Sequence, residues 1–318
     1  HEGEMERAKK LQVVTTLFPL YDWARIVGGD QADVILLLPP GVEAHSWEPT
    51  PRDIVGIHQA DLLTYTGKFM EPWVENIVKS VSHDRLIVVD TSLGILYGEP
   101  EQFQHHPSGH DHAHESHREH EEHLDHGRSE DGRHGHDHHH DKGVDHHHHS
   151  HGGQDPHIWL EFGNAQIMVD HIAQGFARKD PERARLYLDR AEQYNDMLKT
   201  LDQKYEKALA SCKHKILIYA GHFAFGYFAD RYGFTHVSPY VGFSPSAEPS
   251  PRRIAELVKT MKAMDMKAVF YEEGVLPRVA GVIAKETGGE LLLLHGAHNV
   301  TRDEMDQGVT YLSIMENN

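Results

Sequence analysis

Cysteine is nearly missing from this chain of 318 residues, with Cys212 standing alone. One thiol excludes an internal disulfide framework and any thiolate-rich zinc finger. Basic residues are also few: 31 Lys and Arg stand against 49 Asp and Glu, a formal charge of −18. No Lys/Arg stripe of the kind a phosphate backbone requires is present, so nucleic acid is not an expected partner. No apolar run approaches the roughly 18–20 residues of a membrane span. The opening HEGEMERAKK has no hydrophobic stretch of signal-peptide type, so either none exists or it was removed before residue 1. The HExxH, GxSxG and GxxxxGK[ST] signatures are absent as well, which argues against a hydrolase.

What the chain has in excess is histidine, 30 residues in all, of which nineteen lie between His105 and His151. These imidazoles hold the isoelectric point near 5.9 despite the acidic balance, because they begin to protonate just below neutrality. Hydrophobic residues at 39% and charged residues at 25% supply enough apolar material for packed cores. The length exceeds what one core usually holds, so two lobes are expected.

From Leu11 to Val89 short apolar runs alternate with helical segments. LQVVTTL (11–17), DVILLL (33–38), DLLTYT (61–66) and RLIVVD (85–90) read as strands, and Tyr21–Val27, Pro51–Gln59 and Phe69–Val78 as helices. Thr50-Pro51-Arg52-Asp53 supplies an N-cap, a proline at the first helical position and an acid in the first turn. The rhythm returns after residue 214, with strands at 215–220, 234–238, 267–271 and 290–294 and helices near Phe223–Tyr232, Pro251–Met264 and Pro277–Thr287. Such alternation predicts an α/β protein of two lobes, each a parallel sheet covered by helices. Between them a long helix is expected from Asp180-Pro181 onward, with Tyr187, Ala191, Tyr194, Leu198, Leu201, Tyr205 and Ala208 on one stripe. The boundaries that follow are a first lobe at 11–160, linking helices at 164–212 and a second lobe at 213–318. Residues 101–154 interrupt the first lobe with His, Asp, Glu, Gly and Ser and almost no aliphatic side chains. That composition cannot bury a core and is expected to form a disordered loop.

In α/β sheets ligands bind beyond the carboxyl ends of the strands, and four of the scattered histidines pass that filter. His45 follows the second strand in LPPGVEAHSWEPTP, His157 lies in DPHIWLEF, His222 follows strand 215–220, and His295 follows Leu291–Leu294, with His298 its rival three residues on. Singly, each has an ordinary explanation as a capping or core histidine. Jointly, two from each lobe would face a shared cleft, and four neutral imidazoles complete a tetrahedron suited to Zn²⁺. Glu43 is a possible auxiliary carboxylate, and Glu272 and Glu273 are candidates to orient an imidazole. His58, His83, His171, His214 and His236 have no convergent partners in the sequence pattern and are expected to be structural.

LPPGVEAHSWEPTPRD, DPHIWL, GHFAFGYFADRYG and the VFYEEG…IAKETGG stretch resemble, in order and spacing, the metal-binding components of bacterial ABC importers for zinc and manganese, the zinc-specific type above all. The resemblance runs from about Leu11 to Met315 and implies two (β/α)₄ lobes joined by a rigid helix, with metal in the cleft between them. It places the three shared ligands at His45, His157 and His222. A fourth family ligand is an Asp after the final strand in some members. This sequence departs from that pattern by having His295 in that neighbourhood, the candidate for the fourth position. The acidic, His-rich segment matches an insertion that many zinc-binding members carry.

The function expected is capture of Zn²⁺ outside the cytoplasmic membrane and delivery to an ABC permease. The protein would act as a monomer in the periplasm, or anchored through a segment removed from its N-terminus. The stretch holding His136, His138, His139, His140, His146, His147, His148 and His149 would serve as a weak collector that raises local zinc. The alternatives are a manganese or iron carrier on the same scaffold, a surface adhesin or storage protein, and a zinc hydrolase, although no enzymatic role is expected.

Overall fold

The computed structural model describes residues 10–80, 85–98, 154–240, 249–274 and 276–318, all of them within one compact unit. The expected collector histidines and His83 lie outside the described residues.

The first sheet is built from β1 (Leu11–Thr15), β2 (Ala32–Leu36), β3 (Leu62–Tyr65) and β4 (Ile87–Asp90), all parallel, in the order β2-β1-β3-β4. Its crossovers carry α1 (Phe18–Gly28), α2 (Pro51–Gln59) and α3 (Val74–Ser80), since parallel strands must be joined across the sheet. The Thr50 cap is present as a full capping box with Asp53. The helix expected from Phe69 begins instead at Val74, because Pro72 denies the preceding residue a helical backbone and lacks an N–H of its own.

Residues 154–318 add α4 (Phe162–Lys179), α5 (Ala184–Ala210), β5 (Ile216–Ile218), α6 (Gly226–Tyr232), β6 (Thr235–Val237), α7 (Pro251–Ala263), β7 (Ala268–Tyr271), α8 (Arg278–Thr287), β8 (Glu290–Leu293), α9 (Arg302–Asp306) and α10 (Tyr311–Asn317). Strand β5 pairs with β6, and β7 with β8, while a parallel bridge between Tyr219 and Phe270 joins the two pairs. The resulting order, β6-β5-β7-β8, repeats that of the first sheet. Each sheet therefore reverses its winding between its first and third strands, the place where α/β proteins open a crevice for ligands.

The 27 residues of α5 span about 40 Å. Tyr187, Ala191, Tyr194, Leu198 and Leu201 are buried as the stripe predicts, Tyr205 is half-buried, and Ala208 is exposed. The helix start differs from expectation. Residues Pro181–Arg183 form a separate 3₁₀ turn, and the Asp180 carboxylate caps nothing. It accepts instead from the Tyr187 hydroxyl at 2.7 Å and from Arg183 at 2.8 Å. One core runs through both halves of the unit: Trp23, Trp159, Phe176, Tyr187, Phe225 and Tyr311 all bury in it. The last helix returns to the first lobe, where the Tyr311 N–H donates to Asp22 at 2.9 Å and the Tyr311 ring meets the Trp23 ring edge-on at 4.9 Å.

Candidate metal centre

His45, His157, His222 and His298 each offer one ring nitrogen, and these four atoms all lie within 4.8 Å of one another. The His45 and His157 Nε2 atoms are 3.2 Å apart. A tetrahedron with metal–nitrogen bonds of about 2.0–2.1 Å has nitrogen–nitrogen edges of about 3.3 Å, so the His45–His157 edge has the length a zinc ion requires, and the longer separations in the group must draw in around the ion. The His222 and His298 Nε2 atoms are buried and have no hydrogen-bond partner. Two lone pairs left bare in a protein interior are costly unless a cation meets them. The group closes the inner end of a cleft of about 310 Å³ lined by His45, His222, His295, His298, Glu272 and Glu273, and His157 lies fully buried behind them.

Local chemistry explains how each ring is presented. The loop after β2 bends at Gly41, whose φ of +77° is in the left-handed region open to glycine. Glu43 then accepts from the His45 N–H at 2.7 Å and from the Ser46 N–H at 2.8 Å. Its carboxylate folds the loop and stands apart from the four imidazoles. In Asp155-Pro156-His157 the Asp155 carboxylate accepts from the His157 N–H at 3.0 Å and lies 2.6 Å from Nδ1, which turns Nε2 toward the cleft. Glu272 lies 3.6 Å from the His222 Nδ1, and Glu273 lies 2.9 Å from the His298 Nδ1. Three of the four rings thus have a carboxylate on the nitrogen that faces away from the group, the arrangement that fixes tautomer and raises ligand basicity.

Burial, with the neighbouring imidazoles His222, His298 and His45 adding to it, holds His157 well below the usual imidazole range. The ring therefore stays neutral, with a lone pair to offer, at pH values where a free histidine is charged. Burial pushes Asp155 the other way, up to about 8. Burial alone would also raise Glu273, but the hydrogen bond and charge of His298, the charge of His295 and the Gly296 N–H hold it at about 2.

His295, the expected fourth member, is not brought into the group, and His298 takes that place. The His295 Nδ1 accepts the Ala297 N–H at 2.9 Å, and its backbone is held on both sides by the Asn318 carboxamide. The chain then turns through Ala297 at φ 55°, a conformation costly for a residue with a Cβ, and this reversal aims His298 inward. Gly296 is needed beside it, because a Cβ there would stand 2.7 Å from the His298 ring. Asp155 carried no role in the sequence reading, although an acid two residues before a histidine across a proline is a usable signal. His171 bonds the Thr91 carbonyl at 3.1 Å, and His236 stacks on Phe223 at 3.6 Å. Neither they nor His58 and His214 join the group.

The family described as zinc-uptake complex component A, periplasmic, matches residues 13–318. The chain belongs to the ZnuA family. Among relatives, the high-affinity zinc uptake system protein ZnuA of Bacillus subtilis is 34% identical over 312 residues, covering 98% of this chain and 86% of that protein. The zinc-binding protein AdcA of Streptococcus pyogenes is 33% identical over 309 residues, covering 97% of this chain and 55% of AdcA. This chain therefore spans about half the length of AdcA. Of solved structures, the metal-dependent lipoprotein YcdH of B. subtilis has a TM-score of 0.74 at 30% identity, with 97% and 96% of the two chains covered. The Zn(II)-bound ZnuA-like domain of Streptococcus pneumoniae AdcA has a TM-score of 0.73 at 26% identity, with 98% and 96% covered. Like those relatives, this ZnuA-family chain combines parallel sheets and covering helices, and no helix among its described residues is long and apolar enough to cross a membrane.

Proposed function

We propose that this ZnuA-family chain captures Zn²⁺ outside the cytoplasm, holds it with His45, His157, His222 and His298, and passes it to the membrane permease of an ABC importer. The observation that carries the reading is the convergence of four imidazole nitrogens from both lobes, two of them buried without another partner. An all-nitrogen set suits Zn²⁺, whereas Mn²⁺ favours sites rich in oxygen. The carboxylates of Asp155, Glu272 and Glu273 stand behind the rings, where they orient them and offset the charge of the ion. With four protein ligands the coordination shell is closed, the condition of a binding site, while catalytic zinc keeps a position for water. The His-rich stretch adjoins His157 in sequence and supplies further, weaker sites.

The test is a competition titration of metal-free protein against a chelating indicator. Wild type should bind one Zn²⁺ tightly in preference to Mn²⁺. His298→Ala should lose at least a hundredfold in zinc affinity, and His295→Ala no more than a few-fold. A reversed order for the two variants, or preference for Mn²⁺, would overturn the assignment.

A further inference from the structure

Four ligands drawn from two lobes keep tetrahedral spacing only if the loops that carry them are held to each other, and two side chains outside the imidazole group do this. Asn299, buried beside His298, donates both N–H bonds of its carboxamide across the cleft, to the Pro39 carbonyl at 2.7 Å and the Val42 carbonyl at 2.9 Å. Its Oδ1 accepts the Val300 N–H at 2.8 Å, and the Gly41 N–H donates to the Val300 carbonyl at 2.9 Å. The clasped residues are the turn that leads into His45, so Asn299 locks the His45 loop against the His298 loop. Tyr227 does the same for the other pair. It lies in the first turn of α6, five residues after His222, and its hydroxyl donates to the Asp155 carbonyl at 2.8 Å while accepting the Gly98 N–H at 3.0 Å. Asp155 is the residue whose carboxylate orients His157. Gly98 and Asp155 also bond each other through the Asp155 N–H at 3.2 Å. The hydroxyl therefore gathers both ends of the His-rich insertion at the base of a ligand.

We propose that Asn299 and Tyr227 are positioning residues for zinc, each clasping one first-lobe ligand to one second-lobe ligand and so setting the shape of the coordination shell. This rests on the reading of the four histidines as the zinc site. The chemistry at each clasp is specific. Only a carboxamide can give two N–H bonds to two carbonyls while its oxygen accepts a third, and aspartate at 299 would set a carboxylate against both carbonyls. Phenylalanine at 227 keeps the ring and loses both bonds. Partners that orient ligands are worth about 10–100-fold in metal affinity when removed.

The experiment uses the full chain carrying Tyr227→Phe, Asn299→Ala or Asn299→Asp, with His222→Ala alongside. Zn²⁺ affinity is read by chelator competition, and Co²⁺ added as a probe reports coordination geometry through its visible absorption. The clasp variants should bind Zn²⁺ about tenfold more weakly or worse, Asn299→Asp most of all, with a weakened or shifted tetrahedral Co²⁺ band. Wild-type affinity and an unchanged Co²⁺ band in Tyr227→Phe and Asn299→Ala, even with a lowered melting temperature, would show a merely structural role and overturn the proposal. If His222→Ala itself bound Zn²⁺ like wild type, the fault would lie in the ligand assignment beneath it. Tyr227→Phe is nearly isosteric and keeps the test open should an Asn299 variant fail to fold.

Discussion

At the scale of single residues, the identity of a functional histidine is decided by what its other nitrogen does. His295 and His298 are three positions apart in HGAHN, and the strand-end position that favoured His295 in the sequence does not select the ring that joins the group. His295 uses its Nδ1 on the Ala297 N–H, whereas His298 places Nδ1 on Glu273 and leaves Nε2 bare. His45, His157 and His222 were legible because each follows a strand end or re-enters the core beside a distinctive motif. Away from the metal centre, Glu71 is a buried acid that the sequence does not flag. It accepts from the Thr66 N–H at 3.2 Å, the Gly67 N–H at 3.0 Å and the Thr16 hydroxyl, yet burial outweighs these donors and pushes it from 4.5 up to about 7. Between those two values the folded chain holds a proton that the unfolded chain has released, so this group's contribution to stability is present below the lower value and is lost as pH rises toward the higher one. At about 1.4 kcal/mol per unit, the loss is a few kcal/mol. Asp22, raised to about 6 mainly by burial, acts in the same direction. The urea midpoint of metal-free Glu71→Gln should therefore fall less between pH 5 and pH 7.5 than that of wild type. Equal slopes would show that Glu71 does not hold this proton.

At the scale of elements, period and capping made most of the chain readable. The strands lie where β-branched and aliphatic runs placed them, most of them shortened by a residue or two and β2 starting one residue early, and α2 runs from its Thr50–Asp53 box to Gln59 as expected. The misses have local causes. Pro72 delays α3, and Asp180 forms bonds with Tyr187 and Arg183 instead of a cap. The helix expected from Phe223 starts at Gly226, because His222 and Phe223 lie in the loop before it, one ring in the imidazole group and the other stacked on His236. The stripe of α5 is the element on which the unit's core depends most plainly, so Leu198→Ala, at a fully buried position, should cost about 2–5 kcal/mol in chemical denaturation. Ala208→Ser, at the exposed end of the same stripe, should stay within about 0.5 kcal/mol. Comparable losses at both positions would mean that the whole stripe is buried.

At the scale of the whole molecule, two sheets with the same strand order face each other through the loops at their carboxyl ends, and the metal group forms where those loops meet. Phe18 donates to the His298 carbonyl at 3.3 Å, and Trp159 to the Gly296 carbonyl at 2.8 Å. Both bonds tie the loop that carries His298 to first-lobe residues. Since the four imidazoles proposed as ligands and the acids behind them all lie outside 105–151, deleting that stretch should leave one tight zinc site and remove the weak ones, as calorimetric titration would count them. Disappearance of the tight site would place a ligand within the deleted residues.

The sequence by itself determined the class of fold, the alternation that builds two parallel sheets, the apolar stripe between them and the short set of histidines from which a metal site had to be drawn, because each of these is written in local period, capping and composition. Only the tertiary structure decided that His298 and not His295 completes the group, that Asp155 stands behind His157, and that Asn299 and Tyr227 join the lobes. Those choices depend on distances between residues far apart in the chain and on a single left-handed turn at Ala297, and neither follows from the order of the residues around them.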